Sequence, residues 1–399
     1  MEPTSGADRN VELYKATQGS GEGQASCISE FEDTIDACRF CLMCRHLCTV
    51  GNQLLVESVT PRGRALNLDA VRKGLLRYDS DVADIIYRCS LCELCKVSCV
   101  GRYDMPGLVR AGRADLVSRN LAPLGVKKIK DSILSGENPL AGPREARFQS
   151  VVQELQHLPE QAEVLIFAGC ASTYLRPSML RAAVRVVEAA GIGFTIMRDE
   201  GCCGLPLYDL GFREEARRWA SKTAESIDRT GCTNLVTLCP SCLFAFDQIY
   251  PRLGVSLNSR VEVAHLSEFL LYLVTAGAVK TRPGQRRLVT YHDPCCLGRI
   301  SNKYDAPRHV INELPDVELK EMYWNRDMAH CCGGGLIHIA YPKVGEQIAH
   351  SRADEAAETG AEILVSACPT CESVLAKEIS AAGKSLIVMD LVELVGARL

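Results

Sequence analysis

The sequence predicts an α/β protein: a small, mostly helical N-terminal domain followed by two copies of one parallel-sheet domain. Three observations carry this prediction. Beyond about residue 160, short apolar runs alternate with amphipathic stretches, the pattern of parallel strands joined by helical crossovers. The pattern recurs from Arg287 onward in register: Cys202-Cys203 and Cys331-Cys332 stand 129 residues apart, as do Cys239 and Cys368. Before residue 120, helical stretches surround two dense cysteine runs.

Residues 1–30 contain Gly19-Ser20-Gly21-Glu22-Gly23 and little apolar periodicity, so a flexible arm is expected there. Residues 31–120 are the helical domain, with helices expected over Leu66–Leu76, Ser80–Tyr87 and Leu108–Ser118 and a turn at Pro61-Arg62-Gly63. Residues 121–160, with Lys127, Lys128, Lys130, Pro139, Gly142 and Pro143, have the breakers and charge of a linker. The first repeat spans 161–280: strand Val164–Phe167, helix Ser178–Ala190, strand Phe194–Met197, helix Arg213–Asp228, strand Leu235–Leu238. The second spans 281–399, where Leu364-Val365-Ser366-Ala367-Cys368-Pro369-Thr370-Cys371 matches Leu235-Val236-Thr237-Leu238-Cys239-Pro240-Ser241-Cys242. This is an internal duplication.

With 47% apolar and 24% charged residues the chain is globular in composition, and a net charge of −4 gives no reason to expect nucleic acid as a partner. Residues 1–14 lack the basic start and apolar core of a secretory signal. The longest apolar stretch, Phe269 to Val279, falls short of the roughly 18 residues that span a bilayer. The expectation is a cytoplasmic chain, membrane-peripheral only through a partner. In a reducing cytosol, cysteines at CxxC spacing read as metal-binding or redox-active, not as disulfides.

Eighteen of the 21 cysteines fall into four blocks. Cys38, Cys41, Cys44, Cys48 and again Cys89, Cys92, Cys95, Cys99 have the C-x2-C-x2-C-x3-C spacing of bacterial ferredoxins, in which three cysteines hold one cubane 4Fe-4S cluster and the fourth reaches across to the other. On that logic Cys38, Cys41 and Cys44 join Cys99, and Cys89, Cys92 and Cys95 join Cys48. Thr49 or Val100 replaces the usual following proline, and 40 residues separate Cys48 from Cys89. These departures argue against a compact β-rich ferredoxin and suit a helical ferredoxin-like domain. Two structural zinc sites are the alternative.

Each repeat carries five recurring cysteines: Cys170, Cys202, Cys203, Cys239, Cys242, then Cys295, Cys331, Cys332, Cys368, Cys371. Five is one too many for a tetrahedral zinc or an ordinary cubane. Each lies at or just past the carboxyl end of an expected strand, where open α/β sheets bind ligands. Gly204 and Gly333-Gly334-Gly335 are expected where backbone approaches a bulky cluster. No lysine or GxGxxG frame follows them, so a nucleotide or flavin of the chain's own is not expected.

This arrangement is similar to the CCG-domain family, which includes catalytic subunits of heterodisulfide reductases and iron-sulfur subunits of glycolate and lactate oxidases. The likeness covers residues 31–399, including Pro61-Arg62-Gly63-Arg64 and His292-Asp293-Pro294-Cys295. It implies that each five-cysteine set, Cys170 through Cys242 and Cys295 through Cys371, holds a noncubane 4Fe-4S cluster, one or two per chain. Cys296 stands where relatives often carry histidine and is read as a bystander. Cys27 and Cys232 are read as inert thiols. His292 and His330 are the candidate proton donors, with positioning of ligands as their competing role.

Two functions are therefore expected. One is an electron-transfer subunit fed by an FAD-containing flavoprotein partner, with a further electron carrier or membrane subunit beyond it. The other is direct reduction of a disulfide or heterodisulfide between the two noncubane clusters.

Overall fold

The computed structural model describes residues 26–399, so the expected arm lies outside the described residues except at its end. There, Cys27–Phe31 forms a 3-10 turn that packs on the helix Met105–Ser118.

The N-terminal part is helical. Pro61-Arg62-Gly63, read as a turn, opens a helix, Pro61–Arg72. Proline lacks only an N–H that the first helical turn leaves unbonded anyway, and the Thr60 hydroxyl accepts from the Gly63 N–H, so the start is capped. Helices Ser80–Tyr87 and Met105–Ser118 follow, capped by the carboxylates of Asp79 and Asp104. The stretch 121–160 is more than a connection. It holds the helix Leu124–Gly136, whose Val126, Ile129 and Ile133 are buried, and four residues buried further on, Asn138, Arg147, Val151 and Leu155.

Each repeat is a four-stranded, all-parallel sheet. In the first, β1 (Val164–Phe167), β2 (Phe194–Thr195), β3 (Asn234–Thr237) and β4 (Glu262–His265) take the order β2-β1-β3-β4. In the second, β5 (Arg287–His292), β6 (Val317–Leu319), β7 (Ile363–Ser366) and β8 (Ile387–Asp390) take the order β6-β5-β7-β8. The duplication read in the text is thus a duplication of topology. The helix Pro177–Ala189 illustrates the crossovers: Met179, Leu180, Ala183, Val184, Val186 and Val187 form its buried face. Each large side chain buried there contributes roughly 1.5–3 kcal/mol.

Strand alternation divides the cores. From β1, Leu165 and Phe167 face a core shared with the N-terminal helices, whereas Val164 and Ile166 face a core shared with Val289, Tyr291, Ile363 and Val365 of the second repeat. The repeats exchange helices across this second core. Pro177–Ala189 packs on Leu391–Gly396, and Leu266–Thr275 packs on Asp305–Glu313, first helix against last in both directions. This pseudo-twofold arrangement also places the cysteine-bearing ends together, with Pro240–Phe244 against Cys296–Ile300 and Cys170–Tyr174 against Pro369–Ala381.

Candidate redox site

The carboxyl ends of β1, β3, β5 and β7 run directly into Cys170, Cys239, Cys295 and Cys368. Cys239 and Cys368 each precede a helix whose first residue is proline; the Cys242 and Cys368 thiols hold Cys239 below its ordinary value, while the Cys239 contact raises Cys368. The double cysteines arrive on loops before the next helix. Backbone N–H groups point at the sulfurs: Gly204 N to Cys202 Sγ at 3.4 Å, Gly333 N to Cys331 Sγ at 3.4 Å, Gly334 N to Cys332 Sγ at 3.3 Å.

All ten repeat cysteines line one cavity of about 330 Å³. Sulfur contacts run through the first set from Cys170 to Cys202, Cys203, Cys242 and Cys239. In the second set, Cys332 and Cys371 Sγ lie 3.2 Å apart, with Cys331 and Cys368 bonded on either side. Cys239 and Cys368 are within hydrogen-bonding reach of each other, which joins the two sets.

The N-terminal blocks meet in two groups. Cys38 senses the charges of Cys44, Cys99 and Cys41, while Cys48 senses those of Cys89 and Cys92, and Cys95 those of Cys89, Cys92, Cys44 and Cys48. Cys99 therefore lies near the first run and Cys48 near the second, and Cys44 also senses Cys48, so the two groups adjoin. Burial, with the neighbouring thiols adding, pushes Cys38 up to about 12 and Cys44 up to about 11. Cys92 is within hydrogen-bonding reach of Cys331, so the second group touches the second repeat.

Charged residues that no motif announced complete the site. Arg147 is buried, pairs with Glu200 at 2.7 Å and holds two guanidinium nitrogens 3.9 and 4.0 Å from Cys170 Sγ. Glu200 also accepts from Ala168 N and Gly169 N at 2.8 Å each. In the second repeat Arg299 donates to the carbonyl oxygens of Cys92, Asp327 and Ala329, tying the N-terminal part to that repeat. Arg113 likewise donates to the Cys89 carbonyl at 2.6 Å.

Of the two candidate histidines, His292 has a ring nitrogen within 4.8 Å of the Cys332 and Cys371 sulfurs. Neither lines the cavity, whereas His338 does. His330 stacks on Trp324 and faces Glu355 at 3.5 Å. His292 takes a hydrogen bond from Arg352, and burial, with the Arg352 charge adding, lowers it to about 3. Cys296 lies beside Cys295 and within 3.5 Å of the Ser241 hydroxyl. Cys232 is buried in the core, and the Cys27 backbone N–H is bonded to Asp115. The glycines meet different neighbours: a Cβ on Gly333 would meet the Gly345 carbonyl oxygen of a helix at 2.1 Å, whereas one on Gly334 would meet the Cys332 sulfur at 3.2 Å.

An all-thiol donor set, buried and met by N–H groups, suits iron-sulfur clusters. A zinc ion takes four ligands and leaves a fifth thiol in each repeat without a use.

The Cysteine-rich domain, CCG, matches residues 164–247 and 289–376, one copy on each sheet. A subunit of the dihydromethanophenazine:CoB–CoM heterodisulfide reductase of Methanosarcina barkeri is 30% identical over 79% of this chain and 78% of its own length. The chain belongs to the CCG cysteine-rich family of heterodisulfide reductase subunits and related iron-sulfur proteins. Among other members, a fumarate reductase (CoM/CoB) subunit of Methanothermobacter marburgensis is 26% identical over 78% of this chain and 61% of its own length. The EtfAB:quinone oxidoreductase of Syntrophomonas wolfei is 28% identical over 83% of this chain and 48% of its own length. These CCG relatives are named oxidoreductases or subunits of them. A hypothetical protein from Helicobacter pylori shares the fold, with a TM-score of 0.55 at 10% identity over 93% of this chain and 76% of that one. Among the described residues of this CCG protein, no helix is long and apolar enough to cross a membrane.

Proposed function

We propose that this CCG protein is the iron-sulfur subunit of a multisubunit oxidoreductase, cytoplasmic or peripheral to a membrane through a partner. In this reading Cys38, Cys41, Cys44 and Cys99 hold one cubane 4Fe-4S cluster, and Cys48, Cys89, Cys92 and Cys95 a second. The ten repeat cysteines hold one noncubane cluster in each repeat. Bound clusters supply one-electron steps, and the protein's part is to line them up. The observation that supports the reading is the approach of the cysteine groups to one another, with Cys92 on Cys331 and Cys368 on Cys239.

Electrons enter at Cys41, the one exposed cysteine among the described residues. Phe40, Leu42, Met43 and Val100 around it are 57–94% exposed, an apolar surface fit for a flavoprotein subunit that brings the FAD this chain does not carry. The acceptor is a further carrier or membrane subunit.

The cavity favours a second reading, in which a disulfide is reduced between the two sets of five thiols. Cleaving that S–S bond takes two electrons and two protons and yields two thiols. His338 is the one imidazole lining the cavity, and Lys377 lies with it.

The test is metal analysis with electron paramagnetic resonance on anaerobically purified full-length protein. About 16 irons with matching sulfide per chain are expected from four clusters of four. A paramagnetic species that appears on oxidation only with a thiol present favours disulfide reduction. Zinc without sulfide would sink both readings.

A further inference from the structure

A second cavity, of about 570 Å³, opens where the three parts of the chain meet. Its walls come from residues 93–104 and Arg110 of the N-terminal part, 244–252 of the first repeat and 299–327 of the second, and no cysteine lines it. It shares Arg110, Phe244 and Ile300 with the thiol-lined cavity, and these three side chains form the wall between the two. Its size is that of a small-molecule site.

Six cationic side chains line it, Lys96, Arg102, Arg110, Arg252, Arg299 and Arg326, against three acidic ones, Glu93, Asp104 and Asp327. Three of the six are neutralised. Arg110 pairs with Asp209 at 2.7 Å and with Glu93 at 3.4 Å, Lys96 with Asp104 at 3.2 Å, and Arg326 with Asp305 at 2.8 Å. The other three are not. Among the described residues Arg102 and Arg252 have no carboxylate within 4.0 Å, and both are exposed. Arg299 is bonded only to carbonyl oxygens, and its Nη2 is buried without a partner. Of the lining acids, only Asp327 is left without a cation at that distance. The unpaired charge is therefore three cations against one acid.

Arginines left to water at a surface need no explanation of their own. The backbone here sets these apart. Glu93, Arg102, Asn302 and Arg326 have left-handed φ values of +60°, +53°, +55° and +53°, so this one cavity gathers four of the ten described non-glycine residues in that conformation. Residues with a side chain populate it sparsely, and packing enforces it chiefly where a ligand is held.

We propose that this cavity binds a small molecule carrying at least two negative charges on carboxylate or phosphate groups, held by Arg102 and Arg252 in the field of Arg299. The planar guanidinium fork bonds either kind of acid through two parallel N–H donors. Gln248, Asn302 and Tyr304 line the same space and offer hydrogen bonds to the uncharged part of the ligand. The site does not depend on the iron-sulfur reading, because no cluster ligand enters it. It lies close to the redox path all the same: Arg299 also donates to the carbonyl oxygens of Cys92 and Ala329, one side chain away from the approach of Cys92 to Cys331.

The experiment is titration calorimetry on full-length holoprotein at low ionic strength, with tricarballylate and glycerol 3-phosphate as probes and acetate at matched ionic strength as the control. Saturable binding of at least one probe, and none of acetate, is expected; which probe binds more tightly separates a carboxylate ligand from a phosphate one. Arg102→Gln with Arg252→Gln weakens that binding about tenfold or more. Arg181→Gln with Arg185→Gln, on the exposed face of the helix Pro177–Ala189, leaves it unchanged. Should the first pair of substitutions disturb folding, arginine modification by phenylglyoxal on the unaltered protein decides: the bound probe protects Arg102 and Arg252 but not Arg181 or Arg185. No saturable binding, binding that survives loss of Arg102 and Arg252, equal weakening by the two pairs, or equal protection of all four arginines overturns the proposal. Iron content measured on each sample tests the iron-sulfur reading separately.

Discussion

Arg147 and Glu200 are fixed by each other: the carboxylate is buried, its oxygens accept from two backbone N–H groups, and one guanidinium balances its charge beside Cys170. Removing one partner of a buried pair strands the other, at about 3–5 kcal/mol. Arg147→Met should therefore destabilise the protein by about that much in urea unfolding, and adding Glu200→Gln should recover part of the loss by removing the stranded charge. Equal stability for the single and double variants would show that the carboxylate is not the source of the cost. No local pattern in the sequence marks this pair. Arg147 falls in the stretch whose prolines and lysines read as a linker, and Glu200 is an ordinary acidic residue until the fold sets it against the ends of β1 and its loop.

The double-cysteine segments test how elements approach one another. Gly204 and Gly333 both have a positive φ, +81° and +75°, a conformation that costs other residues about 1–2 kcal/mol. Their surroundings differ. A Cβ on Gly204 meets the Trp219 side chain at 3.0 Å, which can shift, whereas on Gly333 it meets main-chain oxygen of the helix Pro342–Ala357 at 2.1 Å, which cannot. Gly333→Ala should cost at least twice as much as Gly204→Ala in denaturant midpoint and should lower iron content, while Gly204→Ala keeps it. Similar losses for both would mean that the strained φ alone matters. The elements themselves are legible in the sequence, because parallel strands buried on both faces leave continuous apolar runs such as Val164–Phe167, and the fixed spacing of the cysteines exposes the repeat. The reason for the glycine is not legible. A close helix and a close cluster demand the same absent side chain, and only the packing of Gly333 on Gly345 separates them. The helix Leu124–Gly136 escapes a composition reading for a related reason, since its three buried residues sit among lysines that outweigh them.

At the scale of the whole molecule, the helical part, the first sheet and the second share cores, so loss of the clusters should be felt by the entire chain. Val50 and Val59 pack with Cys331, Ile337, Val344 and Ile348 of the second repeat, and the Tyr87 hydroxyl donates to the Leu210 carbonyl of the first at 2.9 Å. The thiols give this coupling a pH signature. In the cluster-free fold, burial raises Cys38 to about 12 and Cys44 to about 11, against an ordinary value of 9.0 that the unfolded chain recovers. A raised value in the folded state contributes stability that is complete below the unfolded value and is lost as pH rises toward the folded one, because the unfolded chain releases its protons first. Cluster-free protein should therefore melt at progressively lower temperature from about pH 9 to about pH 11–12. Cluster-loaded protein should not follow it, since its thiols surrender their protons when the metal binds. Melting curves of both forms across that range measure the difference directly. A cluster-free form whose melting temperature stays level to about pH 11 while the rest of the chain remains folded would mean that these thiols are more open to water than their packing indicates.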